Sequence, residues 1–368
     1  MVSIARKNLF QDKTRLAISS GGVAVAIVLI LTTVGLYLRA DAGLGKYILE
    51  TDADLWVSGE DTINLFAHYS IPSILKENLL RIEGVRDVTE LIVSWIRVPV
   101  DEKYVSVCVV GYDTQISIGG PWNVEGAPKP NENEAIVDRI FAKMHGLEIG
   151  DEIKIADQKF TIVGISDGTD VVFFTQYIFI SIDDARRVFG AHGIASFFLV
   201  SVDEPDLSRD VANKIEENIA GVSVFTREVL ASNTRRDYAG MFIPLVLAIA
   251  ALGTLVGTAV ISITVYTATV EKRREYGILK AIGASNVHLY KTVINQALIM
   301  SILGFITGII LFGVVQRIIE WVIPGFVTLI TIPLLVGVLL GVCFVGLIAS
   351  FLPARRVAQI DPSIVFRA

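Results

Sequence analysis

The side chains equipped for metal or acid–base chemistry are few, and their spacing argues against both. His68, His145, His192 and His288 are scattered, without the short intervals that bring several ligands onto one ion. Surface or helix-capping roles suit them better. Cys108 is the sole cysteine of the long polar segment and Cys343 falls in an apolar run, so no disulfide is expected to staple that segment. Asp203-Glu204-Pro205-Asp206 reads as a solvated turn, with Asp206 capping a helix. Phe173, Phe174, Tyr177 and Phe179 could line an apolar ligand surface, although their strand-like spacing is more usual of a core. A phosphate loop of the form GxxxxGK[ST] does not occur, so any nucleotide chemistry must belong to another chain. The expectation is a non-catalytic chain with no metal and no bound cofactor.

The best-organised chemistry lies in the run Glu271-Lys272-Arg273-Arg274-Glu275-Tyr276-Gly277-Ile278-Leu279-Lys280-Ala281-Ile282-Gly283-Ala284-Ser285. Charges come first, then Ile278, Leu279 and Ile282 at i, i+1 and i+4, then Gly283 as a stop signal. One reading is a basic helix held at lipid headgroups. The other is a short two-faced helix shaped to dock into a cleft on another protein.

What positions that helix is set by where charge is missing. The chain has 368 residues, 52% hydrophobic and 19% charged, with a mean hydropathy of +0.59. Residues 16–38, 238–270, 292–316 and 321–354 hold no Asp, Glu, Lys or Arg, so the remaining sequence has the charge density of a soluble protein. A bilayer core about 30 Å thick takes about 20 helical residues. Spans are therefore placed at 18–38, 242–270, 292–316 and 328–352. Pro324 reads as a turn before the last span and Pro333 as a first-turn or kink residue, while Tyr37 and Trp321 sit where an aromatic belt falls.

The segments before the first span, between the second and third, and after the fourth carry 12 basic and four acidic residues, whereas 39–241 is strongly acidic. Both termini and the 271–291 loop are expected in the cytoplasm and the large segment outside. Residues 1–42 could instead be a cleaved signal peptide, but the apolar run is too long for one and a retained anchor is preferred. The spans carry no ionisable side chain, which favours packed anchors over a hydrophilic path. Gly253/Gly257, Gly304/Gly308 and Gly337/Gly341 form three GxxxG pairs suited to close helix packing or dimerisation.

The outer segment reads as α+β. Strand-like runs are Ala53–Val57, Trp95–Val100, Tyr104–Val110, Phe160–Ile165, Tyr177–Ile180, Phe197–Val202 and Val222–Phe225. Helical patterns are Pro72–Ile82, Glu134–His145, Asp183–Phe189 and Leu207–Ile219. A hairpin joins 150–155 to 160–165 through Ala156-Asp157-Gln158-Lys159. The turn-rich stretch 119–131 is the best internal boundary.

On these residues the chain resembles the MacB/FtsX-like ABC permeases. The Glu275-Tyr276-Gly277-Ile278-Leu279-Lys280-Ala281-Ile282-Gly283 run matches the family's E-x-G-x-L-x-A-x-G pattern. The ending from Pro353 to Asp361-Pro362 and the layout of one span, a large domain and three spans agree with it. The resemblance implies a four-span helical membrane subunit with an extracytoplasmic α+β domain. That domain would divide into a porter part (39–130 and 195–241) and an inserted lobe (131–194). A cytoplasmic amphipathic helix would cover 1–17 and a cytoplasmic tail 353–368.

It further implies a second permease copy, identical or related, and a cytoplasmic ATPase dimer. That dimer would carry ATP and Mg and be gripped by Arg273, Arg274, Glu275, Tyr276, Gly277, Ile278, Leu279, Lys280, Ile282 and Gly283. ATP-driven motion would reach the outer domain through long helices, by mechanotransmission, to export a lipid, lipopeptide, peptide or drug. A membrane-fusion adaptor is an implied partner; membrane lipids are expected, nucleic acid is not. MacB has a fused ATPase that this chain lacks, and FtsX a smaller outer domain, so stand-alone LolC-, LolE- and DevC-type permeases compare better. Regulation of a cell-wall hydrolase or sensor, and lipoprotein release, are the alternative functions.

Overall fold

The computed structural model describes residues 13–100, 103–169, 175–271, 273–282, 284–323 and 325–358. The expected amphipathic helix up to residue 12, Phe173 and Phe174, Pro324 and Asp361-Pro362 lie outside them. Helices and strands follow in the order α1 (Lys13–Leu44), α2 (Lys46–Glu50), β1 (Leu55–Gly59), β2 (Ile71–Pro72), α3 (Leu75–Leu79), β3 (Val85–Val100), β4 (Lys103–Tyr112), β5 (Val124–Gly126), β6 (Glu134–Asp138), α4 (Arg139–His145), β7 (Glu152–Ile155), β8 (Gln158–Ser166), β9 (Tyr177–Ser181), α5 (Ile182–Phe189), β10 (Ile194–Ala195), β11 (Phe197–Val202), α6 (Ser208–Asn218), β12 (Val222–Thr226), α7 (Arg227–Glu271), α8 (Arg273–Ala281), α9 (Asn286–Val322) and α10 (Ile332–Ala358). They form two compact units, 38–242 with 322–327, and the remainder.

The first of these units is built on one ten-stranded sheet in the order β12-β1-β11-β3-β4-β9-β6-β8-β5, with β7 paired to β8. The pairs β4–β9 and β6–β8 are parallel. Segment 131–194 supplies β6 to β9, so the lobe expected there shares this sheet with the porter strands. Strands β1 and β11 are buried at every residue, as strands covered on both faces must be. On one face Trp56, Leu91, Val93 and Phe197 pack with Tyr47, Leu230 and Ala231. On the other, Leu55, Val57, Val88 and Val200 pack with Val211 and Ile215 of α6. The hairpin and lobe share a further core around Val98, Val107, Phe141, Phe160 and Ile178.

Several boundaries differ from the sequence expectation. Glu134–His145 is not one helix: Glu134–Asp138 is strand β6, and the helix begins after Asp138. The Ile136-Val137 pair fits a pleated strand, and Asp138 caps α4 by accepting from the Phe141 N–H at 2.8 Å. Gly146, in the left-handed region, ends that helix. Asp206 is not the cap of α6; a 3₁₀ turn over Pro205–Leu207 precedes it, and Leu207 at the cap position makes no side-chain bond. The helix expected over Pro72–Ile82 shrinks to Leu75–Leu79. The lobe hairpin turns on Ala156-Asp157 alone, with Ala156 at φ +52°. Strand β3 starts ten residues before Trp95.

The other unit holds the apolar lengths of α1, α7, α9 and α10, the four helices among the described residues that are long and apolar enough to cross a membrane. Val23, Ile27, Leu31, Ile261, Val265, Val293, Ala297 and Ala349 form its core. Several hydroxyls inside the helices bond to their own backbone: Thr254, Thr258, Thr264, Thr292 and Thr307 each donate to the carbonyl four residues earlier, at 2.7–3.0 Å. Pro333 occupies the first turn of α10, where its missing N–H costs nothing.

Candidate functional site

Helix α8 follows α7 after one residue. Its inner side is fixed by Tyr276, 2% exposed, which packs in the span core with Val265, Leu289, Val293 and Ala354. Gly277 is buried beside it, Lys280 is half-buried, and Leu279 packs against the same core. Glu275, Ile278, Ala281 and Ile282 are exposed, Ile278 at 43% and Ile282 at 76%. The apolar stripe read from the sequence is therefore split, with Leu279 turned in and Ile278 and Ile282 turned out. Arg273 and Arg274 form the first turn by backbone, and Gly283 lies outside the described residues.

Beyond α8, the Ile282 N–H donates to Ile278 O at 3.1 Å and the Ala284 N–H to Leu279 O at 2.9 Å, using carbonyls a helix end leaves open. Ser285 then caps α9, its hydroxyl accepting from the His288 N–H at 3.4 Å. The result is one short helix, pinned on one side and presenting an acid and two isoleucines on the other.

The GxxxG pairs divide in the same way. A Cβ on Gly304 would collide with Val23, and one on Gly308 would stand 2.9 Å from Ile27, so α9 approaches α1 by its backbone. Gly253 and Gly257 face Ile30 and Ala26 of α1 at ordinary contact or slightly less. Gly337 and Gly341 meet nothing within 4 Å. With Gly253 and Gly257 they line an apolar cavity of about 590 Å³ among α1, α7 and α10.

Residues 16–218 match the family model described as MacB-like periplasmic core domain, and residues 247–362 match FtsX-like permease C-terminal. The chain belongs to the MacB/FtsX-type ABC transporter permeases. This permease is 25% identical to an uncharacterized ABC transporter permease of Methanocaldococcus jannaschii, over 98% of this chain and 96% of that one. It is 27% identical to a Staphylococcus epidermidis protein named as putative hemin transport system permease HrtB, over 64% of this chain and 63% of that one. It is 33% identical to the pyoverdine export ATP-binding/permease protein PvdT of Pseudomonas putida, over 31% of this chain and 17% of that one. It is thus a membrane protein with an extracytoplasmic domain, of a family whose permeases work with a cytoplasmic ATPase.

In the permease's outer unit the histidines, cysteine and aromatic residues below are tied into the fold. The His68 ring packs 5.0 Å from Phe197 and its Nδ1 lies 3.0 Å from Leu65 O; burial pushes its pKa down. Cys108 is fully buried, and burial pushes its thiol pKa up, away from reactivity. Tyr177 and Phe179, weighed as a ligand surface, are fully buried in the aromatic core. His192 borders a polar hollow with Arg186 and Arg187, but Arg186 is paired with Glu90 and Asp183, and Arg187 with Glu132 and Asp184. Among the described residues no group of three or more His, Cys, Asp or Glu side chains converges as a metal site.

Tyr47 of α2 is a residue that sequence reasoning missed. It is 1% exposed, stacks on Tyr177 with centroids 5.4 Å apart, and donates its hydroxyl to Gly119 O at 2.6 Å. Helix α7 is gripped similarly, Asn64 donating to Asp237 at 2.9 Å and the Leu65 N–H to Thr234 Oγ1 at 3.3 Å. These ties need tertiary neighbours, and no local pattern announces them.

Proposed function

We propose that this permease couples ATP hydrolysis by a separate ATPase subunit to motion of its extracytoplasmic domain, exporting a lipid, lipopeptide, peptide or drug by mechanotransmission. The observation that carries this reading is α7. It is one helix of 45 residues with Pro244 in its interior, and its residues are shared between the two units. Its first turns are gripped by the outer unit through Thr234 and Asp237, and its last residue is followed almost at once by α8. The exposed Glu275, Ile278 and Ile282 are the surface on which the ATPase docks.

Spans free of ionisable side chains, with several threonine hydroxyls bonded to their own helices, support packed helices over a conduit. A dimer of permeases, homo- or heteromeric, is part of the proposal, with Gly337 and Gly341 open for contact. The loop and both termini face the cytoplasm on the basic-residue bias. The relatives' names mention hemin in one case and pyoverdine in another, so family membership does not dictate the cargo.

The reading is tested by purifying the chain with and without its ATPase. The chain alone should hydrolyse no ATP, and the complex should. Robust turnover by the ATPase-free chain would overturn the proposal.

A further inference from the structure

Residues 59–69, between β1 and β2, form a compact loop whose ends meet: the Gly59 N–H donates to Tyr69 O at 2.9 Å. Its interior is braced by side chains. The Thr62 hydroxyl donates to Ser58 Oγ at 3.0 Å and accepts from the Tyr69 N–H at 3.0 Å. Asn64 Oδ1 accepts from the Phe66 and Ala67 N–H groups at 2.8 and 2.9 Å. The bracing continues into the sheet. The Ser58 hydroxyl, on β1, donates to Ser196 O at 2.7 Å, and Ser196 Oγ, beside β11, accepts from the Val93 N–H of β3 at 3.0 Å. Ser58, Thr62, Asn64 and Ser196 are all buried. A buried polar network whose members find partners is rigid, because each bond is strengthened by the low dielectric around it.

On its other side the loop grips α7. Asn64 Nδ2 donates to Asp237 Oδ2 at 2.9 Å, a charge-assisted bond. Beside it the Leu65 N–H donates to Thr234 Oγ1 at 3.3 Å, and the Phe66 ring lies 5.7 Å from that of Tyr238. All of these residues belong to the outer unit, 38–242. Helix α7 begins directly after Thr226 of β12, and Leu230 and Ala231 sit in the aromatic core. Along the helix those two lie about 7 Å from the root and Asp237 about 16 Å. Resistance to tilting about the root grows with the square of the arm, so a restraint at Asp237 counts about six times an equal one at Leu230 and Ala231.

We propose, on the coupling reading above, that Asn64 is the positioning residue that stiffens this joint, so that a tilt of α7 carries the sheet with it. The Asn64 amide has two separable roles: its oxygen organises the loop and its nitrogen holds α7. Asn64→Asp keeps an oxygen for Phe66 and Ala67 but sets a carboxylate against Asp237, and like charges at that distance repel. Combining Asn64→Asp with Asp237→Asn exchanges donor and acceptor and restores the bond.

The test assembles the full chain, carrying Cys343→Ala and spin-labelled at Leu207→Cys, with its ATPase in nanodiscs. Leu207 is 45% exposed, and buried Cys108 stays in place. Pulsed dipolar spectroscopy reads how far trapping ATP shifts the distance between the two outer domains. Asn64→Asp should remove most of the wild-type shift while the ATPase stays bound, and the double exchange should bring it back. Equal shifts in Asn64→Asp and wild type overturn the proposal and leave the coupling reading standing. A lost shift that the exchange does not restore also overturns it, since damage to the loop then explains the loss. No shift in the wild type overturns the coupling reading itself, and the role of Asn64 falls with it.

Discussion

Replacing Ile278 and Ile282 together by Asp perturbs the surface of α8 and leaves its anchoring alone. Their exposed fractions, 43% and 76%, add up to little more than one isoleucine side chain. Burying that much apolar surface is worth about 2–3 kcal/mol, so its loss should weaken ATPase binding about 30- to 150-fold. Desolvating two new carboxylates adds to the loss. The assay is binding of the cognate ATPase to permease in nanodiscs, with stimulated hydrolysis as second readout. Thermal stability of the isolated permease should stay within about 0.5 kcal/mol of wild type, as for surface substitutions generally. Leu279→Asp is the contrast, because Leu279 packs into the span core and its replacement should destabilise the permease itself. Unchanged ATPase affinity in the double variant would refute the docking assignment.

Tyr47→Phe should leave Gly119 O buried without its donor, costing about 1–3 kcal/mol of outer-domain stability by thermal or chemical denaturation. Gly304→Leu should collide with Val23 and lower the melting temperature, whereas Gly341→Leu, with open space around it, should preserve stability and change the permease–permease association seen by light scattering. His68 has a lowered folded pKa, so the unfolded state takes up its proton first. Its contribution to stability is complete above the unfolded value of about 6.5 and is lost as pH falls through and below it. Denaturation midpoints of His68→Phe should therefore fall less between pH 7 and pH 5 than those of wild type.

The spans were legible because they are written in composition: charge-free runs mark the long apolar helices. Helix α8 was legible for a related reason, since charge, apolar spacing and a glycine stop are all local. Its two faces were not, because Leu279 and Ile278 are neighbours with the same chemistry, and only contact with the core around Leu289 and Val293 decides which turns inward. Strand β6 was hidden because Glu134–His145 has helical spacing throughout. The Asp138 cap, whose second oxygen accepts from the Tyr177 N–H at 2.7 Å, is what breaks it. Strand β3 looked short because residues 85–90 include four polar or charged ones, Arg86, Asp87, Thr89 and Glu90, in close succession. Glu90 is drawn into the fold by Ser73 and Arg186. Tyr47 had no sequence signal at all, since its partners lie on α7, β1, β9 and the Gly119 loop.

The central claim, that ATP-driven motion is delivered to the outer domain, is tested most directly by a distance measurement across the assembled transporter. Permease carrying Cys343→Ala and spin-labelled at Leu207→Cys is assembled in nanodiscs with its ATPase and measured by pulsed dipolar spectroscopy, nucleotide-free and with ATP trapped. The distance distribution between the two outer domains should shift on trapping, and the shift should vanish with Ile278→Asp/Ile282→Asp. An identical distribution in both nucleotide states would contradict the account.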